Sequence, residues 1–544
     1  MKIIHTQLFV TKIIIWLFFA VCVNGYATPS GDPYFWSTHF AGAGNCTHCH
    51  NGLYNDSGED VSIEKDWSSS MMANSSRNPF WRAKLRSELN RNPKLENVLN
   101  DTCTKCHAPM ANFEAKHKGE EIKVFEDGIL NPDNPYYDAA IEGVSCTLCH
   151  QIEDSPNLGT PESFTGGYTI NADRKIYGPY DNLFPSPMTR QTGYQPVYSP
   201  HTQESEMCAT CHNVKTPYVD ENGVVLSTSV ENEFPEQMTY SEWEHSDFAS
   251  TNGKQSCQSC HMARTDGTPI SRRPPWLARR DNFAIHGFVG ANKMMLDILD
   301  KNREELGVRS NNFSETVSKT EEMLAGAVSI TVLSSSLRDG TLETKLRIHS
   351  NTGHKLPSAY PSRRIILQLS IYDAKGRAVF ESGTINKDGS IVGVDADNEK
   401  SHYEPHYDVI ESTDQVQVYE SIMGNNLGAV TYTLLRGKEY LKDNRLLPKG
   451  FDKLTAHDDI KVSGLADKDE NFRGGMDDIT YRVSKLTGGR YTVKVKLVYQ
   501  TIAYAFAKDL FEDSDPIVQD FNRMYSNSEH KSVVMEELSF SVKK

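Results

Sequence analysis

Five short motifs of cysteine and histidine are the residues of this 544-residue chain whose types and spacing indicate chemistry. Each motif has the form Cys-x-x-Cys-His, and together they use ten of the eleven cysteines. Their cysteines are Cys46 and Cys49, Cys103 and Cys106, Cys146 and Cys149, Cys208 and Cys211, and Cys257 and Cys260. The histidines that follow them are His50, His107, His150, His212 and His261. This regular repetition predicts one kind of site built five times.

Disulfides, zinc, a redox-active thiol pair and covalent haem are the alternatives for such motifs. A disulfide does not require the histidine that follows every second cysteine. A structural zinc ion takes four Cys or His ligands, typically from two motifs, so five motifs leave one unpaired. A redox-active pair is expected once, beside a βαβ pattern, and not five times in a region with few strand patterns. Covalent haem c uses every residue, because two thiols form thioethers and the histidine becomes the proximal iron ligand. The sequence therefore predicts five covalent haem groups and no separate catalytic residues.

The second axial ligands of the five irons are less clearly marked. The histidines outside the motifs and before residue 310 are, after the N-terminal segment, His39, His48, His117, His201, His245 and His286. His39 and His201 each lie seven residues before the first cysteine of a motif, which suggests equivalent loops. His48 lies inside its own motif, and its side chain is expected to point away from that iron. His402 and His406 are further donors in the second half of the chain.

Several stretches resemble a group of exported bacterial pentahaem c-type cytochromes with a C-terminal β domain. They include SSSMMANSSRNPFWRA, GVSCTLCH, EMCATCHNVKTP, HGFVGAN, NTGHKLPSAYPSRR and YLKDNRLLPKGFDK. The group is distantly similar to the multihaem cytochromes of nitrogen metabolism. The resemblance implies that His286 and His354 are distal haem ligands, and it favours the same role for His39 and His201. Met72 is a further ligand candidate, although helix packing explains a methionine there equally well.

The first 27 residues have the pattern of a secretory signal peptide. Lys2 and Lys12 precede an apolar run from residue 13 to 23, and a small-residue cleavage site ends at Ala27. A run of this length is too short to span a bilayer, which needs about 20 apolar residues, so no anchor is expected after cleavage. Export would place the protein in the periplasm or outside the cell. The formal net charge of −15 argues against a nucleic-acid partner.

The order of elements predicts an α+β protein in two parts. Residues 28–290 are rich in Asn, Pro, Ser and Gly with short helical stretches, as expected for a pentahaem cytochrome c domain, and residues 291–325 form a helical connector. In the connector, Asn312 and Glu315 have the spacing of a capping box. From 326 to 544, apolar and polar residues alternate around turns at 373–376 and 488–489, which predicts antiparallel hairpins, with a helical insertion near 517–525. We therefore expect a mostly helical and irregular domain followed by an antiparallel β-sandwich of immunoglobulin-like type.

Three functions are compatible with these features. The first is an electron-transfer protein that passes electrons along five haems to or from a redox partner protein. The second is a reductase or oxidase of a small nitrogen or sulfur compound at one open-coordinated haem. Pentahaem ammonia-forming nitrite reductases usually carry a lysine in the catalytic motif, whereas all five motifs here end in histidine. The third is a subunit of an oligomer or extracellular cytochrome filament, with the β domain as an assembly module.

Overall fold

The computed structural model describes residues 34–250 and 253–544, and the predicted signal peptide lies outside them. Among these described residues, no helix is long and apolar enough to cross a membrane.

Short α-helices joined by irregular loops make up most of the chain before residue 327. They are α1 (Gly44–His50), α2 (Ile63–Ser68), α3 (Pro79–Arg91), α4 (Glu96–His107), α5 (Pro109–His117), α6 (Tyr137–Ile141), α7 (Cys146–Cys149), α8 (Ser186–Thr192), α9 (Ser205–His212), α10 (Thr239–Glu244), α11 (Cys257–His261), α12 (Lys293–Lys301), α13 (Arg303–Leu306) and α14 (Phe313–Gly326). The local sequence explains where α3 begins. The side chain of Asn78 accepts hydrogen bonds from the backbone N–H groups of Phe80 and Trp81, and Pro79 occupies the first helical position.

Four two-stranded ladders connect parts of this helical region. They join β1 (Lys175–Gly178) to β2 (Gln195–Tyr198), β3 (Asn213–Thr216) to β4 (Phe234–Met238), β5 (Arg264–Thr265) to β8 (Phe283–Ala284), and β6 (Thr268–Pro269) to β7 (Arg279–Arg280). The first ladder is parallel and the other three are antiparallel.

The predicted capping box at α14 does not form. Asn312 lies at the N-cap position, but no side-chain capping hydrogen bond is present there. Glu315 instead contacts Lys65 at 3.0 Å and Lys319 at 2.7 Å. The two lysines provide charge-assisted partners for this carboxylate, and these are stronger than a bond to one backbone N–H group.

Two larger sheets occupy the chain after residue 327. Their strands are β9 (Val328–Arg338), β10 (Thr341–Ser350), β11 (Arg364–Asp373), β12 (Ala378–Ser382), β13 (Val409–Ile410), β14 (Gln417–Gly424), β15 (Glu439–Asp443), β16 (Met476–Val483), β17 (Arg490–Gln500) and β18 (Val533–Lys543). The four-stranded sheet has the order β13-β16-β10-β9. The six-stranded sheet has the order β15-β14-β11-β17-β18, and β12 also pairs with β11. Three further helices are α15 (Asp395–Asn398), α16 (Tyr504–Leu510) and α17 (Pro516–Ser526).

The six-stranded sheet is covered on both faces, which explains the nearly continuous apolar sequence of β11. Ile365 and Leu367 belong to the core between the two sheets. Ile366 faces the opposite way and packs in a cluster with Met295 of α12 and Phe521 of α17. This second cluster also contains Ala83 of α3. The helical and β regions are therefore joined by a shared hydrophobic core.

One predicted hairpin is wrong. The residues around Gly488 and Gly489 were expected to join two paired strands, but β16 pairs with β10 whereas β17 pairs with β11 and β18. The turn passes from one sheet to the other, because alternation identifies a strand without identifying its partner. The predicted hairpins β9–β10 and β11–β12 and the helix near residues 517–525 are confirmed. The mixed α+β class is also confirmed, while the immunoglobulin-like type of the sandwich stays a prediction.

Candidate functional site

Each cysteine pair lies on one helical turn, in α1, α4, α7, α9 and α11. Residues three apart face the same side of a helix, so both thiols of a motif point the same way. The described cysteines form no disulfides with one another. The histidine that follows each pair lies at the end of its helix or directly after it. The local geometry thus presents two thiols and one imidazole from each short segment.

Four of the five motif histidines are oriented by a backbone carbonyl. The Nδ1 atoms of His50, His150 and His261 lie 2.7, 2.6 and 2.6 Å from the carbonyl oxygens of Ile270, Tyr177 and Val289. The Nδ1 atom of His107 lies 3.3 Å from the carbonyl oxygen of Ser75. Donation from Nδ1 leaves the Nε2 lone pair free, which is the arrangement of a metal-binding histidine.

Two of these histidines face a second histidine across a gap. The ring centroids of His150 and His286 lie 6.3 Å apart, with an interplanar angle of 27°. Those of His261 and His354 also lie 6.3 Å apart, with an angle of 12°. Two imidazoles bound to opposite sides of one metal ion through bonds of about 2 Å have ring centroids roughly 6 Å apart. The spacing fits one six-coordinate iron between each pair.

The opposing histidines share the hydrogen-bonding pattern of the motif histidines. Nδ1 of His286 lies 2.9 Å from the carbonyl oxygen of Ala284, and Nδ1 of His354 lies 3.0 Å from that of Lys355. Burial lowers the pKa of His286 to about 3 and that of His354 to about 4. Burial likewise lowers the pKa values of His107 and His212 to about 4. These imidazoles are therefore neutral near pH 7, as metal ligation requires.

The positions of three other candidate ligands give weaker evidence of iron ligation: His39, His201 and Met72. Nδ1 of the buried His39 lies 3.2 Å from a carboxylate oxygen of Glu114. His201 uses both ring nitrogens, with Nδ1 2.7 Å from the hydroxyl of Ser199 and Nε2 2.9 Å from the carbonyl oxygen of Ile152. Iron ligation by His201 would require the second of these bonds to open. Met72 packs at the edge of the helical core. The ligand roles of all three stay predictions.

The five motifs are close to one another. The thiols of Cys106 and Cys211 are within hydrogen-bonding reach, and so are those of Cys208 and Cys257. These contacts join the second, fourth and fifth motifs. Burial raises the pKa of Cys149 and the neighbouring Cys211 raises it further, so the third motif lies beside the fourth. The first lies beside the third, where burial and then His150 lower the pKa of His50.

The segment from His354 to Arg363 contributes more to the site than the sequence indicated. Burial is the main reason for the low pKa of His212, and the charge of Arg363 adds to it, so this guanidinium lies near the fourth motif. Tyr360 lies near the second motif, where burial, two glutamates and the Cys103 thiol raise the pKa of its hydroxyl. The spacing of residues in the sequence could not predict that Arg363 and Tyr360 lie near these motifs, because neither residue belongs to a repeated pattern.

A separate cluster of ligand-type residues in the β region is a hydrogen-bond network. His406, Asp469 and Asp477 have ligand atoms within 4.8 Å of one another. Amide groups of Gln417 and Asn444 donate to Nδ1 of His406 at 2.9 and 3.1 Å, and their orientations are fixed by backbone N–H groups on their oxygens. The proton must then lie on Nε2, which donates to Asp469 at 3.2 Å. A metal ion binds a ring nitrogen through a free lone pair. In His406, Nε2 carries the proton and Nδ1 already accepts two hydrogen bonds, so this histidine is unsuited to ligation.

The residues present fit covalent haem. Each motif offers two thiols on one helical face followed by an imidazole, four of these imidazoles are oriented by a backbone carbonyl, and two motifs have a second imidazole at the spacing of a shared iron. Zinc bound to four Cys or His ligands would not place two imidazoles face to face with this geometry.

Comparison with solved structures gives a match over almost the whole chain. A crystal structure of a penta-heme cytochrome c552 from Thermochromatium tepidum aligns with 93% of this chain and 100% of its own, with a TM-score of 0.51 and 14% sequence identity. No protein-family profile and no curated protein matches the sequence. At this identity the likeness shows that the chain has a multihaem-cytochrome-like fold.

Proposed function

We propose that this chain is an exported multihaem c-type cytochrome that carries electrons through five covalently bound haems to or from a redox partner. The facing imidazole pairs His150 with His286 and His261 with His354 carry the proposal, together with the five repeated motifs. Iron with two protein ligands has no open position for a substrate, which suits electron transfer. The likeness to a penta-heme cytochrome supports the same class.

The residues of the chain would hold, orient and space the cofactors. Bound haem c supplies the one-electron redox chemistry. The thiols anchor each group covalently, and the Nδ1 hydrogen bonds fix the imidazole orientation and raise its basicity. The contacts between Cys106 and Cys211 and between Cys208 and Cys257 bring attachment points of neighbouring groups together. Short separations of this kind would favour transfer between the groups.

The proposal includes a location in the periplasm or outside the cell and a redox partner that is itself a protein. The basis for the proposed location is the signal-peptide pattern of residues 1–27. Assembly into an oligomer or filament is compatible with the same chemistry.

A reductase or oxidase is the second candidate function, and one observation favours it. Arg363 lies near His212 and Tyr360 near Cys103, so a cationic and a hydroxyl side chain adjoin the fourth and second motifs. Such a pair suits a small oxyanion at an open-coordinated haem.

Electron paramagnetic resonance of the oxidised protein separates the two functions. Electron transfer predicts low-spin signals for essentially all haems, and faster electron donation to a second cytochrome than to nitrite, hydroxylamine or tetrathionate. A stoichiometric high-spin signal that shifts on adding one of these compounds, with turnover, would establish the second candidate instead.

A further inference from the structure

The segment of residues 264–284 folds over the first motif. Its strands pair as β5 with β8 and β6 with β7, which forms a small double ladder. The backbone N–H of Arg272 donates to the carbonyl oxygen of Cys49 at 2.9 Å. The carbonyl of Ile270 receives Nδ1 of His50 at 2.7 Å. The segment is therefore attached directly to the first motif.

This segment is basic, although the chain as a whole is acidic. Between residues 264 and 282 it carries five arginines and two aspartates, in a chain of net charge −15. Arg279 contacts Asp56 at 3.1 Å, so part of the charge is compensated. Arg272 and Arg273 instead bond to neutral acceptors of His48, its carbonyl oxygen at 2.8 Å and its ring Nε2 at 2.9 Å. These bonds hold the two exposed guanidinium groups in place without neutralising them.

Large aromatic side chains accompany the exposed arginines. Trp276 is 65% exposed and Phe184 is 47% exposed, and their rings meet edge to face at 4.9 Å. Tyr54, just after the first motif, is 52% exposed. Tryptophan, tyrosine, phenylalanine and arginine are the residue types enriched in protein interfaces, where rigid aromatic rings supply contact area at low entropic cost.

We propose that this surface, made of Arg272, Arg273, Trp276, Phe184 and Tyr54, is the docking site of an acidic electron-transfer protein. The inference rests on the proposed function and names the partner's chemistry: carboxylates around its own redox centre. At about 0.1 M ionic strength the screening length is about 10 Å, so an approaching protein responds to the groups of this surface, where Arg279 compensates Asp56, more than to the remaining negative charge of the chain. Docking here would bring the partner beside the first motif, to which this segment is hydrogen-bonded.

Stopped-flow kinetics of the fully reduced, haem-loaded protein test this surface. The probe is ferric cytochrome b5, a small acidic haem protein, at 0.1 M ionic strength, with basic mitochondrial cytochrome c as the comparison. The charge reversal Arg272→Glu/Arg273→Glu should lower the second-order rate constant with cytochrome b5 about tenfold, because complementary charge accelerates encounter by roughly 10-fold or more. The rate constant with cytochrome c should stay the same or rise.

Two further variants keep the test decisive. Trp276→Ala removes a contact residue without altering the charge or the bonds to the first motif, and should lower the cytochrome b5 rate constant severalfold. Arg338→Glu/Lys387→Glu makes the same charge change at exposed positions of the C-terminal region and should change it less than about twofold. Denaturing mass spectrometry must show equal haem content in all variants. If the charge-reversal variant carries fewer haems than the wild type, the Trp276→Ala variant decides the test instead.

The possible failures are distinguishable. If the wild-type protein gives electrons to neither probe, the proposed function is overturned. If it gives electrons to cytochrome b5 and the surface variants match the control variant, only the docking site is overturned. If sedimentation shows that the charge reversal dissociates a wild-type oligomer, the surface is a contact between copies of this chain and the proposed partner is wrong.

Discussion

At the scale of single residues, the strongest evidence is the geometry of two histidine pairs. His286 and His354 come from different parts of the chain. The ring centroid of each lies 6.3 Å from that of a motif histidine, and each ring is oriented through Nδ1 by a nearby carbonyl. Side-chain packing alone does not explain why the two imidazoles of each pair lie at the spacing of a shared iron. Iron ligation would therefore account for these two partly buried histidines, which lie outside the repeated motifs.

Replacing either opposing histidine should change the spin state of one haem. We expect His286→Ala and His354→Ala each to convert one low-spin iron to high-spin, because alanine supplies no ligand. The double variant should show two high-spin irons by electron paramagnetic resonance. His349→Ala, in β10, is the matched control and should leave the spectrum unchanged. Unaltered spectra in the first two variants would mean that neither histidine binds iron.

At the scale of elements, a buried ionic cluster fixes the segment that carries His354. Lys355 lies 2.7 Å from Asp443, with neither side chain more than 2% exposed. Arg445 contacts both Asp443 and Glu242 at 2.8 Å, and Glu242 also accepts the backbone N–H of Lys355 at 3.1 Å. Glu242 belongs to α10 and Asp443 to β15, so the cluster ties the helical region to the six-stranded sheet beside the fifth motif.

Asp443→Asn should destabilise the protein strongly. The substitution leaves Lys355 and Arg445 buried without their shared carboxylate, and breaking a buried ion pair in this way costs about 3–5 kcal/mol. Urea unfolding of the loaded protein measures the change. Asp373→Asn removes a partner of the largely exposed Arg377 and should cost under about 1 kcal/mol. Equal losses in the two variants would show that the buried cluster has no special role.

The same carboxylate should make stability depend on acid pH. Burial by itself raises the pKa of Asp443, but Arg445 and Lys355 outweigh it and lower the pKa to about 2, below the ordinary 3.8. A lowered pKa means that the stabilisation is complete above pH 3.8 and is lost as pH falls through 2. It amounts to roughly 2 kcal/mol at neutral pH. The wild-type free energy of unfolding should therefore fall below pH 4 more steeply than that of Asp443→Asn, and parallel curves would contradict this.

At the scale of the whole molecule, the sequence identified the chemical groups better than their arrangement. The motifs and the histidines that end them follow from local spacing, and the strands of the second half follow from alternation. The pairing of these strands does not follow from alternation, because β16 and β17 look like a hairpin but belong to different sheets. The meeting of Cys106 with Cys211, and the position of Arg363 near His212, depend on contacts between distant segments. Local patterns carry no information about such contacts.

Shared packing makes the two regions one structure around the motifs. The cluster that contains Ala83, Met295, Ile366 and Phe521 draws on helices before residue 327 and on strands and helices after it. The His354 segment and the Lys355 cluster cross the same boundary. The β region thus packs against the helical region and carries His354 to the fifth motif.

All five Cys-x-x-Cys-His motifs should carry covalent haem, and denaturing mass spectrometry can count the attached groups. The protein should be produced in cells with a functioning cytochrome maturation system and unfolded before measurement, so that only covalent groups remain. We expect a single species that begins near Thr28 and carries five haem additions. A homogeneous preparation with four or fewer additions would contradict it.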